Sequence, residues 1–181
     1  MSRLIKYTAW NHIKFIKLHI NDYDTMFRKM RRQKQELPKK DCIDILTNEP
    51  RGVLAILGDD DYPYSIPMSH VYVDGKIYFH GAREGHKIDA IKKYPKASYC
   101  VIDSGVKKDE EWWYTFNSVI VFGKIKILTD ESEKIEKLRY LGNKFFPTEE
   151  AVEKEIKRLL DKTEVFELTI EHISGKIVVE R

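Results

Sequence analysis

From Val53 to Val179 the chain runs in short apolar and alternating stretches separated by turn residues, which predicts strands. Val53–Leu57 is apolar throughout and reads as a buried strand. Tyr64–Val73 alternates. Tyr64, Ile66, Met68, His70 and Tyr72 share one face, and Ser65, Pro67 and Ser69 share the other. Asp74-Gly75 is a hairpin signal leading into a third strand, Lys76–Gly81. Ala97–Asp103, Ser118–Leu128 and Val165–Ile173 follow. Ser174-Gly175 predicts a turn into a short last strand, Lys176–Val179.

Helical spacing fills the gaps. Asp41–Glu49 is read as a short helix with Asp41 as its cap. Gly85–Lys93 opens after a glycine and stops at Pro95. Asp130–Phe145 sets Ile135, Leu138, Leu141 and Phe145 on one side. Thr148–Asp161 is capped by Thr148 and presents Val152, Ile156, Leu159 and Leu160 as one face.

Strands joined by tight turns pair antiparallel, and six or seven of them close most simply into a barrel. The expected class is mainly β with flanking helices. On Ser118–Leu128, Val119, Val121, Ile125 and Ile127 face one way, with Gly123 among them. Ile120 and Phe122 share the other face with Lys124 and Lys126. An outward face that is apolar for half its length suggests cover by a partner subunit.

Composition narrows this little further. With 181 residues, 42% of them hydrophobic, the chain suits one globular domain. No run reaches a membrane-spanning length, and Lys6, His12, Lys14 and Lys17 break any secretory core. Cys42 and Cys100 have no CxxC partner, so the expected compartment is the cytoplasm. Charge is unevenly placed. Residues 1–40 hold 11 Lys and Arg against 3 Asp and Glu, while the remainder holds 21 against 26. Residues 1–40 are therefore read as a basic N-terminal arm, helical in part or disordered, ahead of a mildly acidic body from residue 41 to residue 181. A start at Met26 or Met30 accounts for the arm equally simply. A nucleic-acid tail ranks below both, because the body lacks a basic patch.

Candidate chemistry lies between Tyr62 and Lys87. Pro67 cannot donate to a ladder, so pairing is expected to open there and free backbone groups for a flat heteroaromatic ligand. On pattern alone, an edge strand with a tolerated proline is the simpler reading. Tyr78-Phe79-His80-Gly81 runs into Ala82-Arg83-Glu84-Gly85-His86-Lys87. Small residues, a helix start and three cationic side chains together suit a phosphate cradle. The competing reading is a glycine-punctuated turn with a solvated basic face. Neither a P-loop nor GxGxxG is present. His70, His80 and His86 match no standard zinc spacing.

The motifs acquire meaning in their order: Gly52-Val53-Leu54-Ala55, Pro63-Tyr64 with Pro67, Ile77 to Ala82, Gly85-His86-Lys87, and Ser118 to Lys124. From about Asp41 onward this sequence resembles the pyridoxamine 5′-phosphate oxidase-like FMN-binding split barrels, and within them the 5-nitroimidazole resistance (Nim) group. The resemblance implies a six-stranded antiparallel Greek-key split β-barrel. It further implies a homodimer with FMN at the interface, FAD being the variant cofactor. Ile66, Pro67, Met68 and Ser69 would lie along the flavin ring. His80, Gly81 and Ala82 would line the ring and ribityl side, and Arg83, His86 and Lys87 would hold the phosphate. Ser118 would reach the flavin from its own chain or the partner's. Trp112, Trp113 and Tyr114 would cover the ring or pack at the dimer seam.

The implied activity is that of an oxidoreductase passing electrons from NADH or NADPH to a small, nitro-aromatic acceptor. His80 is the residue expected at the reactive ring, against the equal reading of a structural histidine on a barrel rim. A flavin or haem sensor or store without turnover is the main alternative, and a nucleic-acid-binding barrel the weaker one. No membrane partner is expected.

Overall fold

Seven antiparallel strands make one sheet in a computed structural model that describes residues 26–179. The strands are β1 (Arg51–Leu57), β2 (Pro63–Ser69), β3 (Val71–Val73), β4 (Lys76–Ala82), β5 (Lys96–Ile102), β6 (Thr115–Ile127) and β7 (Thr163–Val179). Their order is β2-β1-β5-β6-β7-β4-β3. β2 and β3 stand at opposite ends of that order, yet only His70 separates them in sequence. The sheet must therefore curl round on itself. β5, β6 and β7 are sequential neighbours, and β4 returns to lie beside β7, which is the Greek-key arrangement. The chain divides into two compact units, 1–34 and 35–181, and the barrel occupies the second. Of the basic arm, residues 1–25 lie outside the described residues.

Seven strands form where the resemblance implied six: the predicted second strand breaks in two at His70, and the predicted last two join into one. The His70 imidazole is fully buried. Its Nε2 lies 2.8 Å from the Leu46 carbonyl and therefore carries the proton. Its Nδ1 lies 2.9 Å from the Tyr99 hydroxyl, whose single proton faces both that nitrogen and the Met68 carbonyl, 2.8 Å away. Pinned between a helix and β5, His70 re-aims the strand from β1 to β4. The ladder does not open at Pro67. Register with β1 is continuous from Arg51↔Ser69 to Leu57↔Pro63, as an edge strand permits. Ser174-Gly175 is no turn either. Both residues pair with β6, as Ile120↔Ser174 and Val119↔Gly175, so the last strand is one 17-residue element. Between Phe122↔His172 and Gly123↔Ile170 the register shifts, leaving Glu171 as a bulge.

Among the described residues, four α-helices flank the sheet: α1 (Lys39–Asn48), α2 (His86–Lys93), α3 (Glu131–Phe145) and α4 (Glu149–Leu159). α1 starts two residues earlier than predicted, after Pro38, so Asp41 lies in its first turn rather than at its cap. Asp130 and Thr148 do cap the hairpin helices, accepting from Glu133 N and Ala151 N. The Asp74-Gly75 turn has positive φ at both residues, as a tight hairpin requires.

The main core joins Leu54, Ile56, Phe79, Tyr99, Val121 and Phe166 to Cys42 and Leu46 of α1 and Ile88 of α2. β4 is covered on both faces: Ile77 and Phe79 point into this core, and Tyr78 packs with Leu128 and Val165 near Leu138 of α3. The inward face of β6 is buried at Val119, Val121 and Ile125, while Ile120 and Phe122 are exposed opposite it.

Candidate functional site

β2, the end of β4 and the start of α2 converge on one side chain, Lys87. Gly85, at φ 107°, turns the chain out of β4 and into α2, and places Lys87 in the first helical turn. The Lys87 ammonium is half-buried beneath Gly81. It lies 3.7 Å from Met68 Sδ and 5.2 Å from the centroid of the Phe166 ring. A Cβ at Gly81 would stand 2.6 Å from Lys87 Nζ, so glycine leaves the space this cation occupies. No carboxylate among the described residues pairs with it. Burial lowers its pKa from the ordinary lysine value. A partly desolvated cation packed against a thioether and a ring is chemically suited to pair with an anion.

His80, next to Gly81 on β4, projects from the opposite face of the strand, toward the α3–α4 hairpin. Its ring keeps substantial exposure. Even so, the packing around it, and secondarily the Lys87 charge, hold its pKa below the ordinary imidazole value. At neutral pH it is therefore a neutral imidazole, offering one N–H donor and one acceptor nitrogen. His80 also borders a cavity of about 230 Å³ between the α3–α4 hairpin and the barrel, and Ser69 borders the same cavity.

Two of the three cations expected to hold a phosphate have intramolecular partners instead. Arg83 Nε donates to Glu164 Oε1 at 3.2 Å, and its guanidinium donates to the Asp161 carbonyl at 2.8 Å. His86 stacks on Tyr64, with ring centroids 4.2 Å apart, and accepts from the Asp59 N–H at 3.3 Å. Lys87 is the cation left for a ligand.

The family profile of pyridoxamine 5′-phosphate oxidase matches residues 38–177, which is most of the chain and all of the barrel but the last two residues of β7. This chain belongs to the pyridoxamine 5′-phosphate oxidase family. Solved structures agree on the fold. A candidate 5-nitroimidazole antibiotic resistance protein from Bacteroides thetaiotaomicron aligns with TM-score 0.67 at 18% identity, over 80% of this chain and 87% of that one. An FAD-binding protein from Mesorhizobium loti aligns with TM-score 0.62 at 23% identity, over 80% and 97% of the two chains. The flavocytochrome Anf3 from Azotobacter vinelandii aligns with TM-score 0.66 at 20% identity, over 83% and 72%. No curated protein matches the sequence.

Within this member of the pyridoxamine 5′-phosphate oxidase family, the site residues named from sequence do not all gather. Met68, Gly81 and Lys87 come together on the core face of β4, while His80 and Ser69 meet at the cavity on the hairpin side. Ile66 is half-buried and packs on the core, and Pro67 is exposed. Ala82 is exposed at the end of β4, opposite Thr163. Ser118 pairs with Ile102 and Lys176, nine residues along β6 from Ile127, or roughly 30 Å at the usual strand rise. It lies at the far end of the barrel from Lys87. Trp112, Trp113 and Tyr114 lie beyond that same end, between β5 and β6. Trp112 is 74% exposed and meets Trp113 edge to face. Phe166, the floor under Lys87, was not distinguishable in sequence from any other apolar strand residue.

Proposed function

We propose that this protein binds FMN and works as an NAD(P)H-dependent oxidoreductase on a small acceptor of the nitro-aromatic kind. The carrying observation is Lys87: a half-buried ammonium with no carboxylate partner, at a strand-to-helix turn beside a glycine. A phosphate suits it. The dianion would supply the charge that the cation lacks, and the first turn of α2 adds N–H donors on the same side. The residues therefore fit a phosphorylated flavin. FMN is the flavin proposed. FAD is the competing one, since FAD-binding proteins share the fold.

When bound, FMN would supply hydride and electron transfer. The chain's own part is placement. Lys87 would hold the phosphate. The outer edge of β2, whose ladder runs with β1 alone, would set backbone groups of Ile66 to Ser69 along the ring. His80, neutral at physiological pH, would hold or exchange a proton at its N–H. The α3–α4 hairpin would keep water from that side. The FMN-loaded protein should oxidise NADPH or NADH, and a 5-nitroimidazole should raise the steady-state rate. A protein that holds FMN and oxidises neither nucleotide under any acceptor would be a binding module instead.

The proposal includes a homodimer. Val53, Ile102, Ile120 and Phe122 are each at least 40% exposed on the outer face of β1, β5 and β6. Register aligns Val53, Cys100 and Ile120 in one row. Such a patch suits a second copy of the same sheet face. Equilibrium sedimentation should return twice the 21.4 kDa chain mass, and Ile120→Lys should return the single mass.

A further inference from the structure

The helical hairpin does not bury its apolar faces. On α3, Leu141 is buried, but Ile135, Leu138 and Phe145 are not. On α4, Val152 is buried, but Ile156 and Leu159 are only half covered. The helices touch closely where Gly142 meets Val152. A Cβ at Gly142 would stand 2.5 Å from Val152 Cγ1. Beyond this contact the exposed part of each stripe surrounds the cavity of about 230 Å³, whose far wall is Ser69, His80 and Thr163. The space opens to solvent past Phe145 and Phe146 yet is lined mainly by apolar side chains, as small-molecule clefts are. A designed cavity of about 150 Å³ is enough to take benzene. This one has room for a substituted ring or two fused rings.

The polar groups define the occupant's charge. Glu155 is the one carboxylate at the wall, and Arg158 neutralises it at 2.6 Å. The Thr163 hydroxyl is committed to the Leu159 carbonyl at 2.8 Å. Ser69 and His80 make no side-chain hydrogen bond to any described residue. They remain as one hydroxyl and one imidazole at the same wall. An apolar chamber with a single hydrogen-bonding corner and no net charge selects a neutral molecule with one polar atom.

We infer that the cavity under the α3–α4 hairpin binds a neutral aromatic molecule of one or two rings, hydrogen-bonded at Ser69 and His80. Resting on the redox reading above, this is the place of the second substrate, since His80, the residue assigned there to hold or exchange a proton, borders the cavity. The test is calorimetric titration of the purified full chain with 2-naphthol, with and without saturating FMN. The expected result is one site per chain, present in both titrations. Ile156→Trp, which fills the cavity, should weaken it at least tenfold without changing the melting temperature. Should that variant not fold, Leu159→Phe serves the same purpose. Absence of 2-naphthol binding, equal affinity in the filled variant, or displacement by FMN would each overturn the inference. Flavin affinity is measured separately. Failure to bind FMN therefore overturns the redox reading and leaves the calorimetry to decide the cavity.

Discussion

Lys87→Met should weaken flavin binding by about 2 kcal/mol, or roughly 30-fold, without loss of stability. The argument is one of unequal cost. In the free protein the ammonium is half-buried against Met68 Sδ and the Phe166 ring, with no anion to offset its desolvation. Methionine fills similar space at no such cost, so the melting temperature should hold or rise. The complex is where the charge matters, because a phosphate dianion meets a cation that water screens poorly. Fluorescence titration with FMN and a thermal melt give both quantities. Affinity unchanged within twofold would remove Lys87 from the site. A collapsed melt would make it structural.

Acid should unfold the protein through His70, by about 2 kcal/mol between pH 7 and pH 4.5 beyond what its carboxylates contribute. Burial, reinforced by the Lys144 charge and opposed by the bond to Leu46, lowers its pKa from 6.5 to about 4. The sign follows from proton uptake. Between pH 6.5 and pH 4 the unfolded chain binds a proton that the native imidazole refuses. Stability is therefore full above this window and falls as pH falls through it. Urea unfolding at the two pH values measures the slope. His70→Gln, which can still donate to the Leu46 carbonyl, should lose about 2 kcal/mol less than wild type over the same interval. Equal slopes would mean that another group governs acid stability.

The elements legible in sequence were those encoded locally. Asp74-Gly75 needs positive φ twice, and so reads as a hairpin in any context. Asp130 and Thr148 cap their helices with their own side chains. The inward and outward faces of β6 follow from alternation alone. What was illegible depends on distant partners. Nothing in the stretch Tyr64–Val73 marks His70 as a break, because the break is made by Leu46 and Tyr99. Ser174-Gly175 looks like a turn until β6, thirteen residues long, supplies a continuous ladder.

The candidate site divides in the same way. The strand-to-helix turn that brings Gly81, Gly85 and Lys87 together was visible because turn and helix start adjoin in sequence. Glu164 and Asp161, which engage Arg83, come from the far side of the helical hairpin, so their claim on that cation was hidden. Apolar stripes on α3 and α4 were readable. That they line a cavity was not, since periodicity gives the face of a helix and not what it packs against.

Flavin binding at Lys87 is measured directly by the visible absorbance of the purified protein titrated with FMN and then FAD. The expected result is a saturable, protein-perturbed flavin spectrum at one FMN per chain, weakened in Lys87→Met. A colourless protein that perturbs neither spectrum would contradict it, leaving the family's barrel with a different ligand.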